Sequence, residues 1–278
     1  MKVKYRFHPS DIALYSALMV MSAMSLFPFY WMLRSSFMTK EQIFAIPLIW
    51  MPKEFLYQNY YNAINSFPFY AYFRNTLFIV VMNIIGNIFV SSLAAFGFGR
   101  LEFPGKKALF GLVLSTLMIP GMVLLIPQFL EWKMLGAYDT YVPLILPAFL
   151  VNAFFIFLVK QFFAGIPKDY DEAALIDGAN YPAIYFRLML PMSKPALATV
   201  GVFTFMNTWN DFLGPLIYIK SPRLYTLALG LMSFKSQFNT EWHHIMAVST
   251  LVTIPMVLLY FFAQRYFVQG ITFSGLKN

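Results

Sequence analysis

The chain has 278 residues, 59% of them hydrophobic and 12% charged, with a mean hydropathy of +0.63 and a formal net charge of +8. Soluble domains carry about 25% charged residues, so too little charge is present to cover a soluble surface, and the long apolar runs belong in a bilayer. The absence of cysteine excludes disulfides, thiolate metal sites and cysteine nucleophiles, and the basic excess, lacking a stripe of polar recognition residues, fits anionic lipid headgroups rather than nucleic acid.

A spanning helix needs about 20 mostly apolar residues. Six such runs are predicted, at 12–33, 72–98, 108–130, 141–159, 196–219 and 245–266. The first follows Lys2, Lys4 and Arg6 but continues through Phe27, Pro28, Phe29, Tyr30 and Trp31. That is too long and too aromatic for a signal peptide, so an uncleaved first helix is expected. The connection 34–71 is rich in aromatic residues and proline, which suits a packed structure at the membrane interface. Arg100, Lys106 and Lys107 fall in one short connection, against Lys133 alone in the next. Short loops carry most of the positive-inside signal, so the first of these connections, and with it both termini, is expected in the cytoplasm. Pro120, Pro127, Pro143, Pro147, Pro215 and Pro255 are candidate kinks within the runs. No repeat is evident, and a single membrane domain over 1–278 is the economical organisation.

Inside the predicted cytoplasmic connection 160–195, Pro167 precedes Asp169, Asp171 and Glu172, acids that complement the dipole of an opening helix. Gly178 falls where a left-handed cap would end that helix. Asn180 can cap a second helix with Pro182 in its first turn, Pro191 is expected to stop it, and Ser193 with Pro195 can start the next span. Two short helices around a glycine hinge make a rigid surface that fits a groove on another protein or, equally on local grounds, an interfacial connector with no partner.

Further candidates are polar groups inside spans, which are costly in hydrocarbon: Asn152, Asn207, Thr208, Asn210 and Asp211. With Asn207 and Asp211 four apart on one helical face, and Phe155, Trp209 and Phe212 offering apolar faces, these could line a path for a solute or simply bond helix to helix. Ser91, Ala95 and Gly99 form a small-residue face, read as static packing. The stretch from Gly99 to Lys107 fails as a phosphate loop, since Lys107 stands where serine or threonine is required. His8, His243 and His244 are not expected to form a metal set, and no catalytic constellation stands out.

Glu172-Ala173-Ala174, Gly178 and Leu188-Met189-Leu190-Pro191, spaced as they are, resemble the EAA motif of ABC-importer permeases. Leu188 stands where that family has isoleucine. The segment 94–100, Met118-Ile119-Pro120 through Pro127, Trp209-Asn210-Asp211-Phe212 and the run 266–275 are similar to the MalG-like carbohydrate permeases, so the resemblance covers most of 72–278. It implies an all-α integral membrane fold of the type I ABC importer (MetI-like) kind, in a bacterial inner membrane, with cytoplasmic coupling helices. It implies Glu172, Ala173, Ala174, Asp177, Gly178, Leu188 and Pro191 as contact and hinge residues toward an ATPase. The implied partners are a second MalF-like permease, two ATPase subunits that carry the ATP and magnesium, and an extracytoplasmic sugar-binding protein. The tail 267–278 is expected to reach the ATPase side. An ABC permease for another solute, such as an amino acid or polyamine, is the alternative, and the resemblance implies no enzyme activity and no cofactor on this chain.

Overall fold

A computed structural model describes residues 9–234 and 241–272. Lys2, Lys4, Arg6, His8 and the tail segment 273–278 lie outside the described residues. Regular structure among the described residues is helical throughout, in two compact units, 1–68 with 231–254 and 69–230 with 255–278.

The second unit is organised by α4 (Phe69–Arg100), whose 32 residues make a rod about 48 Å long at 1.5 Å per residue. It packs along α8 (Ala153–Ala164) and α12 (Lys194–Trp209). Small residues set that approach. Ser91 and Ala95 are fully buried, and a Cβ on Gly86 would lie 2.8–2.9 Å from Phe149 and the Ala148 backbone, so only glycine fits there. Between these helices lie α5 (Lys106–Ser115), α6 (Gly121–Met134) and the short α7 (Val142–Ile145). After α8 come α9 (Asp169–Ile176), α10 (Tyr181–Ala183) and α11 (Leu190–Met192); after α12 come α13 (Leu213–Tyr218) and α14 (Leu227–Gly230).

In the first unit α1 (Pro9–Ser36) leads into α2 (Lys40–Ile43), which opens on a reciprocal capping box between Thr39 and Gln42. Asn59 of α3 (Gln58–Asn65) donates to the carbonyls of Ser36 and Met38, both at 2.9 Å. Phe37 packs against Phe55, Tyr57 and Tyr60, which gives the aromatic connection its predicted packed character. The last helix, α15 (Trp242–Thr272), runs through Pro255.

Among the described residues, four helices are long and apolar enough to cross a membrane, or up to six spans if each of two bent pairs counts as one. Two predicted spans are therefore corrected. The third is broken between Lys106–Met118 and Gly121–Met134 with a 98° bend, because Ile119, preceding Pro120, is extended rather than helical. The fourth stands as a candidate span over Val142–Ala164, built from a short helix and a 3₁₀ turn carrying Pro143 and Pro147 and then α8. The fifth ends at Trp209, and residues 210–212 separate it from α13.

Candidate functional site

The segment that joins α8 to α12 is built as the local sequence demands. α9 carries Asp169, Asp171 and Glu172 in its first turn. It closes with Gly178 at φ +84°, donating its N–H to the Leu175 carbonyl at 3.0 Å, while Ala179 N–H reaches the Ala174 carbonyl at 2.9 Å. These two bonds form a Schellman cap, and the left-handed backbone at Gly178 is what makes glycine necessary, since a Cβ there would meet open space. Asn180 then caps α10 through Ala183 N–H at 2.9 Å, with Pro182 in the first turn.

Pro191 does not stop the second helix. The chain widens into a π-helix over Ile184–Met189, and Pro191 falls in the first turn of α11, where its missing N–H leaves no bond unmade. The stop comes at Ser193, with a 74° bend between Tyr181–Met192 and Lys194–Trp209. Ser193 starts α12 without a side-chain cap; its hydroxyl donates back to the Met189 carbonyl instead.

This segment has an inner and an outer face. Ile184, Tyr185 and Met189 are buried in a cluster with Phe96, Phe155, Val159, Phe163 and Val200, and Ala174 and Leu188 pack against it half-buried. The Tyr185 hydroxyl is 2.8 Å from that of Ser92, inside the bundle. Glu172, Ala173, Asp177, Gly178 and Pro191 are exposed. So are Leu175 and Ile176, the latter 86% exposed on a helix whose other flank is anchored.

Sequence reading missed what fixes α9 in place. Arg100, at the last residue of α4, stands 3.2 Å from the Asp171 carboxylate and donates to the Ile166 carbonyl at 2.8 Å. Both side chains of the pair are shielded, at 5% and 16% exposure. A groove of about 180 Å³ lined by Phe96, Arg100, Asp171, Glu172, Leu175 and Tyr181 lies beside it. Its only sequence signal is a cation closing a long apolar run and one acid more than the helix opening needs.

The polar residues of the spans are mostly framework. Asn152 caps α8 through Phe155 N–H at 3.2 Å and donates to Asn87 at 3.3 Å, and Phe155 is buried in the core. Trp209 is 3% exposed, stacked on Phe205 with ring centroids 5.2 Å apart, so it offers no face to a sugar. Asn207 and Asp211 do not share a helical face, because α12 ends between them; Asp211 instead accepts from Gly214 N–H at 3.0 Å, in the turn into α13. Asp211 also borders a cavity of about 20 Å³ with Thr76, Asn83, Thr208 and Thr226. Asn207 and Asn210 are exposed and share one stripe with exposed Phe203. Of the tentative path residues, these two alone turn away from the rest of the unit.

Residues 87–273 match a family described as binding-protein-dependent transport system inner membrane component. The chain is similar to the "Probable ABC transporter permease protein YurM" of Bacillus subtilis (strain 168), 35% identical over 257 residues, covering 91% of this chain and 84% of that protein. It is 31% identical to the arabinooligosaccharides transport system permease protein AraQ of the same bacterium over 270 residues, 96% of each. Its fold is that of a chain in the crystal structure of a bacterial ABC transporter involved in the import of alginate, with a TM-score of 0.84 at 21% identity, covering 95% of this chain and 100% of that one.

Proposed function

The chain belongs to the family of binding-protein-dependent transport system inner membrane components, multi-pass permease subunits of ABC importers rather than enzymes, and from that premise we propose that it carries a sugar or oligosaccharide, driven through the surface of α9. The single observation that carries the drive is the anchored segment from α9 to α11, which fixes its inner face in the bundle and turns Glu172, Ala173 and Ile176 outward. A covered apolar patch on a rigid helix passes displacement in both directions, whereas a loose linker would absorb it. An ATPase subunit is the occupant that an importer supplies, one for this chain and one for a second, MalF-like permease; ATP and magnesium belong to those subunits. Arg100, Lys106 and Lys107 at the same end support a cytoplasmic location for that surface and for both termini.

The cargo rests on different ground. The arabinooligosaccharide relative, aligned over nearly the whole chain, favours a glycan over an amino acid or polyamine, and the exposed amides Asn207 and Asn210 are groups that bond hydroxyls. A reconstituted complex with its binding protein tests both halves. Oligosaccharides should stimulate ATP hydrolysis while amino acids and polyamines should not, and Glu172→Lys should abolish the stimulation. Stimulation by a polyamine alone, or a Glu172→Lys complex that behaves as wild type, would overturn the cargo or the coupling reading respectively.

A further inference from the structure

The last helix opens with Trp242-His243-His244, and Glu241 immediately precedes it. Side chains adjacent on a helix point about 100° apart and do not normally face one another. Here they converge, because His243 uses its far nitrogen and His244 its near one. His243 Nε2 is 3.4 Å and His244 Nδ1 is 3.8 Å from the same Glu241 oxygen, and all three ligand atoms lie within 4.8 Å of one another. The imidazole centroids are 4.1 Å apart. The side chains are partly shielded, at 38%, 19% and 16% exposure, with Phe234 against His244 and Phe44 against Trp242.

Two imidazole nitrogens and one carboxylate oxygen brought this close together are the donor types that a divalent first-row ion takes. In a tetrahedral zinc site with bonds near 2.1 Å the ligand atoms stand about 3.4 Å apart, against 3.4 and 3.8 Å for the two edges that meet at the Glu241 oxygen.

We infer that Glu241, His243 and His244 form a binding site for a divalent first-row transition ion, with two imidazoles and one carboxylate as ligands and a fourth position left to water. The donor set suits zinc, whose open sites take three protein ligands of this kind. The inference stands apart from the cargo and from the α9 surface.

The test uses the assembled complex, purified with a tag free of histidine, stripped of metal and titrated with Zn²⁺ alone. One zinc should be held per copy of this chain, beyond what the ATPase subunits hold. Its affinity should fall about 10-fold or more in each of His243→Gln, His244→Gln and Glu241→Gln. It should also weaken as pH drops from about 7.5 to 5.5, where protons compete for the imidazoles. Co²⁺ in place of zinc should give the visible bands of a four-coordinate ion, lost in the same variants. Equal zinc stoichiometry in wild type and in the His243→Gln/His244→Gln double variant would overturn the assignment. So would a cluster that shifts the melting temperature with pH but retains no zinc. Glutamine keeps side-chain volume, and elution of each variant as intact complex guards against misfolding.

Discussion

The two ends of α4 hold their polar residues in opposite ways. At its start, Asn75 donates to the carbonyls of Arg223 and Tyr225, and Thr76 accepts from Leu227 N–H, each at 2.9 Å. Asp139 clasps Lys220 and Ser221 in the same spirit. Nearly every polar group there closes a turn. At its far end, Arg100 spends its charge on Asp171 and Ile166, and the residues thereby held in place, Glu172, Ala173 and Ile176, point outward with little to touch. One end is knitted to itself; the other presents a surface. The proposed coupling would use that division: a frame that stays registered, and a surface held fixed relative to the frame.

The harshest way to break the comparison is Gly178→Pro. Proline fixes φ near −65° where the chain needs +84°, and it removes the N–H that bonds Leu175. At about 3 kcal/mol the docking-competent shape falls roughly 100-fold in population, and uptake with it. Gly178→Ala, which keeps the N–H but strains the backbone by about 1–2 kcal/mol, should cost roughly 10-fold. Binding-protein-stimulated ATP hydrolysis in the reconstituted complex checks both, and equal activity in the two variants would show that the cap is incidental.

A milder break is Arg100→Ala. It strands a partly shielded Asp171, and losing a charged partner there costs roughly 1.5 kcal/mol; α9 should loosen, with ATP turnover persisting while uptake per ATP falls about 10-fold. Asp171→Asn combined with Arg100→Ala should recover part of the loss, because no lone charge is then left in the pocket. Additive losses in the double variant would mean that the pair does not hold α9.

Smaller still are Asn207→Ala and Asn210→Ala. If these exposed amides meet the cargo, each should raise the half-saturating sugar concentration a few-fold, as losing one hydrogen bond worth about 1 kcal/mol does. Trp209→Ala is the contrast. It empties a buried aromatic site at about 3–5 kcal/mol of stability, so it should lower the melting temperature and the amount of complex without changing which sugar is preferred. A change of sugar preference in Trp209→Ala alone would move the path inward.

How far the sequence carried this reading depends on the range of each interaction. The Gly178 cap and the Asn180 cap were legible because turn chemistry is local. The spans were legible as apolar runs, but their breaks were not. Pro28, Pro127 and Pro255 lie inside continuous helices while Pro120 follows a break; whether a freed carbonyl finds a new partner depends on neighbours that a linear pattern does not name. The close approach at Gly86 and the Arg100–Asp171 pair were invisible for the same reason, each being set by a distant segment. Trp209 and Asp211 misled because an aromatic and an acid in an apolar run look alike whether they face a cargo or a core. His243 and His244, not expected to form a metal set, converge with Glu241 through a choice of ring nitrogen that spacing alone does not reveal.

The gentlest probe is pH at the knitted end. Asp139 lies at φ 60° and accepts from the N–H groups of Lys220 and Ser221 at 2.9 and 2.8 Å, and from the Ser221 hydroxyl. The Ser221 hydroxyl first, then these backbone donors, hold its carboxyl below the ordinary aspartate value. A depressed folded-state pKa means that the charged form is the one the fold favours. The clasp therefore contributes fully above the ordinary aspartate pKa, and its contribution fades as pH falls through the lower folded value. Asp139→Asn should thus melt slightly below wild type at pH 7, and the gap should close in acid. The exposed site and its freedom from burial keep the effect small. If instead the gap is constant from pH 7 down to about 3, the carboxylate's charge is not what holds residues 220–221, and the turn at this end is kept by its backbone alone.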